Sequence, residues 1–301
     1  MNVGVINLQY SNNFGAMVCA YALIYILRDH HVVQVVNYIP ENNYNIIKKF
    51  ALFRNQFLNL GVAVSLNTAL SSYYDHLDAV VVGSDQVFRL AYNSVKSPNF
   101  MEWMHGKKLF ISYAASFGID HFEGGSLARK KVSKLLSRFD AHSVRESSGV
   151  HIMKNTFGLD AIQVLDPTLL LDPKDYQPII DSEPCAQPEK YVGVMFLDDE
   201  HWDEFRASAL YKKLSAEYEI VNICKDEQGE FRSVPQWLSY IKHASLMVTD
   251  SFHGTVFSII YRKQFITRAT ANRGNARLES LCSTLDIPLS RFCPSFDKKN
   301  D

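Results

Sequence analysis

A strand–turn–helix alternation runs through this 301-residue chain twice, and a proline-rich stretch interrupts it once. Few folds accept that pattern. In the first round, short apolar runs at 3–8, 32–39, 77–82, 109–114 and 142–145 have the length of buried strands. Helical patterns lie between them. Residues 15–28 carry Met17, Ala20, Leu23, Ile24 and Leu27 at helical spacing, and residues 128–139 are amphipathic. A strand, a helix and a second strand in this order make a parallel crossover unit. Residues 40–70 read as a helical excursion, Ser147 as the cap of a helix, and Val164-Leu165-Asp166-Pro167 as a strand closed by a turn.

Residues 173–190 hold Pro173, Pro178, Pro184 and Pro188 and read as a linker. The alternation then restarts. Strands are expected at 191–196, 219–223, 245–249 and 264–267, with helices at 200–216, 234–242, 255–261 and 277–285. The chain is thus expected to be α/β, with two Rossmann-like doubly wound domains at 1–172 and 191–301, as its length also suggests at about 150 residues per domain. In such folds ligands sit outside the carboxyl ends of the strands. With two domains facing each other, that places ligands in the cleft between them.

Composition excludes several classes. Hydrophobic residues are 47% and charged residues 21%, values that rule out a disordered or fibrous chain. Lysine plus arginine numbers 31 against 32 acidic residues, so the net charge is −1. Bulk charge therefore draws the chain to neither nucleic acid nor anionic membrane, although a local basic pocket is compatible with it. The five cysteines (Cys19, Cys185, Cys224, Cys282 and Cys293) are odd in number and form no CxxC pair, which fits a reducing cytoplasm. The longest apolar run, 16–27, is shorter than the ~20 residues of a membrane span. It also lacks the basic start of a signal peptide.

Three strand-to-helix turns carry candidate chemistry. Thr249-Asp250-Ser251-Phe252-His253-Gly254-Thr255 joins an apolar strand to an apolar helix. Asp250 or Ser251 can cap the helix, its amides form an anion site, Gly254 lets a ligand approach, and His253 can move protons. A capped helix with a packed histidine has the same pattern. Gly83-Ser84-Asp85-Gln86 is the corresponding turn of the first half, equally readable as an ordinary Asx turn. Ser11-Asn12-Asn13-Phe14-Gly15 is the third, where helix capping is the simpler reading. Arg145, ending a strand, can grip a carboxylate or phosphate at two points, or pair with Glu146. Arg273 and Arg277 precede the closing helix, where a solvated helix start is the plain reading and a place in an anion pocket the functional one. No P-loop, GxGxxG after the first strand, HExxH, GxSxG or Asp-x-Asp occurs.

Five motifs in this order resemble the polysaccharide pyruvyl transferase family. They are Asn13-Phe14-Gly15-Ala16 with Ala20-Tyr21-Ala22-Leu23; Val82-Gly83-Ser84-Asp85-Gln86-Val87; Tyr113-Ala114-Ala115-Ser116-Phe117-Gly118; Val144-Arg145-Glu146 with Leu165-Asp166-Pro167-Thr168; and Asp250-Ser251-Phe252-His253-Gly254. The resemblance implies a GT-B-like fold and transfer of a pyruvyl group from phosphoenolpyruvate to two hydroxyls of a saccharide, giving a cyclic ketal. It implies no metal and no cofactor besides the donor substrate. His253 and Asp85 become catalytic candidates. Arg145, Ser251, Gly254, Arg273 and Arg277 become donor-binding candidates, and Asn13, Gly15, Ser84 and Ser116 acceptor-binding ones. The family's arginine two positions before the histidine is Ser251 here. Either Arg273 or Arg277 supplies the missing charge, or the donor differs. A nucleotide-sugar glycosyltransferase and a non-catalytic sugar- or phosphate-binding protein remain alternatives. The expected location is cytoplasmic, and a lipid-linked acceptor would bring the enzyme to the inner membrane face. No nucleic-acid partner is expected, and the oligomeric state is not legible.

Overall fold

Every strand pairing in the two sheets is parallel, as the apolar runs require. The computed structural model describes residues 1–40, 45–269, 276–288, 292–293 and 295–296. The chain divides into two compact units, Met1–Leu171 and Asp172–Asp301.

The first unit runs β1 (Asn2–Ile6), α1 (Phe14–Leu27), β2 (Val32–Val35), α2 (Lys48–Phe57), α3 (Asn67–Tyr74) and β3 (Ala79–Val82). It continues through β4 (Leu109–Ala115), α4 (Ser126–Leu136), β5 (Ala141–Val144), α5 (Ser147–Phe157) and β6 (Ile162–Gln163). The strand order is β2-β1-β3-β4-β5-β6. β1 is central, with Val3, Gly4 and Val5 opposite Ala79, Val80 and Val81. The connection from β1 leaves to β2 on one side and that from β3 to β4 on the other, so the β1/β3 boundary is the switch point where doubly wound folds place ligands. Both faces of the sheet are covered, which is why β3 is buried throughout and reads as unbroken valine. Phe88, Phe100 and Phe117 form the aromatic centre of the core, with ring centroids 5.5 and 5.6 Å from that of Phe88. Burying each ring contributes roughly 1.5–3 kcal/mol.

The expected helical excursion at 40–70 resolves into α2 and the start of α3. Ser147 is not a cap but the first residue of α5. Glu146 holds the N-cap position without a side-chain cap bond, its carboxylate being engaged elsewhere.

The second unit begins at Asp172 and takes in the whole segment 173–190 expected to be a linker. Pro173 and Pro178 stand in the first turns of a short 3-10 helix (Pro173–Tyr176) and of α6 (Gln177–Asp181), where proline's missing N–H costs nothing. Tyr176 is fully buried with its ring 5.0 Å from Phe257, so this stretch is part of the second core. Then follow β7 (Tyr191–Met195), α7 (Asp199–Ala207), α8 (Ala209–Ser215), β8 (Glu219–Asn222) and α9 (Val234–His243). β9 (Leu246–Thr249), α10 (Phe252–Ile260), β10 (Gln264–Arg268), α11 (Ala276–Leu285) and β11 (Phe292–Cys293) complete it. The order β11-β10-β9-β7-β8 puts the switch point between β7 and β9. The single helix expected at 200–216 is two helices. Ser208 is extended (ψ 156°), ending α7, and its hydroxyl accepts from Tyr211 N to start α8. Among the described residues no helix is long and apolar enough to cross a membrane.

Candidate functional site

The carboxyl edge of the first sheet collects most of the residues marked in the sequence. After β1, Asn13 caps α1, its Oδ1 accepting from Ala16 N at 3.2 Å, and Gly15 lies buried in the first turn. After β3, Ser84 and Asp85 are both buried. Asp85 has φ 80°, a left-handed conformation that costs a non-glycine residue on the order of 1–3 kcal/mol. The turn is held from several sides. Asp85 Oδ1 accepts from Gln86 N at 2.9 Å, and its carbonyl accepts from Val87 N at 2.7 Å and Ser116 N at 3.0 Å. After β4, Ser116 Oγ donates to Glu146 Oε1 at 2.9 Å and accepts from Gly118 N at 2.9 Å. Gly118 is left-handed as well (φ 78°), and a Cβ there would fall 2.0 Å from Gln86 Oε1.

Arg145 follows β5 but does not present a free fork. Its Nη1 donates to Asp166 Oδ2 at 2.8 Å and its Nη2 to Asp85 Oδ1 at 3.4 Å, with the side chain only 2% exposed. Burial alone would lower its pKa, but Asp166, Asp85 and Glu146 outweigh it and hold the guanidinium charged. The guanidinium thus grips the protein's own carboxylates, Asp85 among them.

Asp166, which sequence reasoning placed in a plain turn, is the hub. It accepts from Ser84 Oγ at 2.8 Å, Thr168 N at 3.1 Å, Thr168 Oγ1 at 2.6 Å and Cys19 Sγ at 3.5 Å. Burial pushes the Cys19 thiol well up, and Asp166 and Asp85 add to the effect, so it serves as a donor and not as a nucleophile. Ser84 and Ser116, the acceptor-binding candidates, both spend their hydroxyls inside this network.

In the second unit, Ser251 rather than Asp250 caps α10, its Oγ accepting from Gly254 N at 3.3 Å. His253 is the second helical residue and is buried. Gly254 serves packing. A Cβ there would lie 2.4 Å from Thr249 Oγ1 and 3.3 Å from Met195 Sδ, so the helix end is pressed onto β7 and β9. Arg277, in the first turn of α11, sets its guanidinium carbon 5.7 Å from the Phe252 ring centroid. A cation therefore reaches the first turn of α10 from another element. Arg273 lies outside the described residues.

Asp250 has a different task. Its oxygens accept from Leu197 N at 2.8 and 3.0 Å, Asp198 N at 3.2 Å and His201 Nδ1 at 2.7 Å. It thereby ties the turn after β7 to the turn after β9 across the switch point. Burial pushes the Asp250 carboxyl up, opposed by the His201 bond and the two amides. His201, on the first turn of α7, was missed because nothing in its local sequence marks it. Held through Nδ1, it turns Nε2 into the basic nitrogen, an arrangement suited to moving protons. Ligand atoms of Asp198, His201 and Asp250 lie within 4.8 Å of one another, but the donors already on Asp250 make a hydrogen-bonded dyad the better description than a metal site.

Two parallel Rossmann-like sheets with polar turns at their switch points define a two-unit α/β protein of the GT-B class. The solved structures agree. UDP-N-acetylglucosamine 2-epimerase from Rickettsia bellii is 12% identical with a TM-score of 0.55, covering 99% of this chain and 85% of its own. A putative UDP-N-acetylglucosamine 2-epimerase from Listeria monocytogenes is 12% identical with a TM-score of 0.54, covering 95% and 87%. UDP-GlcNAc 2-epimerase from Neisseria meningitidis, bound to UDP-GlcNAc, is 11% identical with a TM-score of 0.52, covering 97% and 93%. At these identities the likeness is one of fold. No curated protein matches the sequence. The model of the polysaccharide pyruvyl transferase family matches residues 13–272, and the chain belongs to that family of transferases.

Proposed function

We propose that the protein transfers a pyruvyl group from phosphoenolpyruvate to two hydroxyls of a saccharide in the cytoplasm, forming a cyclic pyruvate ketal during polysaccharide synthesis. One hydroxyl oxygen bonds to C2 of the donor while a proton is delivered to its methylene carbon. The second hydroxyl oxygen then bonds to C2 as the C2–O bond to phosphate breaks. Of the two hydroxyl protons, one balances the new methyl group and the other leaves with phosphate. These are general acid–base steps.

The reading rests on family membership and on one observation. The first turn of α10 combines its amides, buried His253 and the Arg277 guanidinium beside Phe252. That set suits an anionic donor: the amides and guanidinium meet negative charge, and the imidazole moves the proton. Ser251 caps the helix without adding charge, and in this reading Arg277, beside Phe252, takes the role of the family's arginine. Asp85, positioned by Arg145, orients or deprotonates the acceptor hydroxyl, with Asn13, Gly15, Ser84 and Ser116 shaping the turns around it. The five free cysteines fit a reducing compartment.

A second reading, a nucleotide-sugar enzyme, is favoured by the fold neighbours, which are named for UDP-N-acetylglucosamine. Thermal shift separates the two. A ligand at 100 times its dissociation constant adds about 2.7 kcal/mol of stability. Phosphoenolpyruvate is expected to raise the melting temperature and UDP-N-acetylglucosamine to leave it unchanged. The reverse pattern would select the second reading. Phosphate release across a panel of acceptor glycans, with a product heavier by one pyruvyl ketal, tests the reaction itself.

Asp85 can be tested separately from the fold. Asp85→Asn keeps an oxygen to accept from Gln86 N and Arg145, and Arg145 keeps Asp166 as its charged partner, so this variant is expected to lose little melting temperature while turnover drops at least about tenfold. A parallel loss of stability and activity would make the residue merely structural.

A further inference from the structure

The outer face of α4 stands apart from the near-neutral average of the chain. Helical spacing puts Leu127, Lys130, Lys131, Lys134 and Arg138 in one stripe, opposite buried Val132 and Leu136. No acidic residue occurs between Glu123 and Asp140. Lys131 pairs with Glu102 at 2.7 Å, and Arg138 donates to the carbonyls of Met101 and Met104. Lys130 and Lys134 make no ion pair among the described residues. Together with Glu102 the stripe lines an open groove of about 650 Å³. At its N-terminal end Leu127 is 84% exposed, the most exposed of the large apolar side chains among the described residues.

A core helix has no use for a bare leucine beside unneutralised lysines. An interface between water and anionic lipid does. There the lysines meet headgroup phosphates while the leucine enters the acyl boundary. A crossover helix runs antiparallel to its strands, so Leu127 lies at the carboxyl edge of the first sheet, the same edge as Asp85 and Ser116. We propose that the Leu127–Arg138 stripe of α4 docks the protein on an anionic membrane surface, with Leu127 inserted and Lys130 and Lys134 on lipid phosphates. The docking does not depend on which donor the enzyme uses. It would hold the first unit's carboxyl edge close to a lipid-linked saccharide.

Co-sedimentation of the full chain with phosphatidylcholine vesicles, with and without phosphatidylglycerol, tests this. Binding is expected only with phosphatidylglycerol and is expected to weaken as salt rises. Lys130→Gln combined with Lys134→Gln is expected to weaken it about thirtyfold, since each charge near the surface is worth about fivefold. Leu127→Ser is expected to weaken it with all charges kept. Unchanged melting temperatures would show that the variants stay folded. Equal binding to neutral vesicles, no binding at low salt, or binding indifferent to these substitutions would overturn the proposal. So would saturation by soluble glycerol phosphate, with the same lysine dependence, of a protein that ignores vesicles. That result would make the groove a small-anion site.

Discussion

Replacing His253 by alanine is expected to lower turnover by about 10²–10⁴-fold, the usual worth of a positioned proton-transfer group. Alanine is a good helix former, and His253 stands in the first turn of α10, so the helix is expected to survive. The cap between Ser251 and Gly254 does not involve the imidazole. Loss of rate with an unchanged melting temperature is therefore the expected result. If His253 delivers the proton, His253→Ala loses kcat while the thermal shift with phosphoenolpyruvate persists. If it only binds phosphate, the thermal shift disappears as well. A variant with near-normal turnover and normal donor binding would remove His253 from the reaction, and His201, held by Asp250, would be the next group to replace.

The largest structural effect is expected at Arg145. Arg145→Met leaves Asp85, Glu146 and Asp166 buried around an apolar side chain. Breaking a buried pair by removing one partner costs about 3–5 kcal/mol because the other charge is left uncompensated. For a unit of this size that corresponds to a fall of about 10 °C or more in the melting temperature of Met1–Leu171. Arg145→Lys keeps a charge but loses the two-pronged geometry and is expected to fall in between. Scanning calorimetry of the variants against the parent protein checks the order. A drop in activity with no loss of stability in Arg145→Met would return the residue to the donor.

The strand-end turns were legible because they declare themselves locally. Gly83-Ser84-Asp85 and Asp250-Ser251-Phe252-His253-Gly254 each follow an apolar run beside a switch point; the second opens α10 as expected, whereas the first leads not into a helix but into turns and a short 3-10 helix at Pro98–Phe100. What was not legible depends on pairing across the chain. Asp166 meets Ser84, 82 positions away, and Asp250 meets His201, 49 positions away. No spacing rule reaches that far. Arg145 looked like an exposed fork because its two carboxylates arrive from other strands. The prolines at 173–190 read as a linker because proline breaks a helix interior, yet Pro173 and Pro178 stand in first turns, where proline starts one. Ser208 escaped notice because the apolar spacing continues on both sides of it.

Gly254 fits against Thr249 and Met195 with no room for a methyl group. The amides at the start of α10 are thus fixed by the sheet beneath them before any ligand arrives. Binding an anion there orders little that was loose, so the conformational entropy lost at this helix end is small. For the proposed anion site, affinity would then be set during folding, and selection for a well-packed second core would at the same time shape the site.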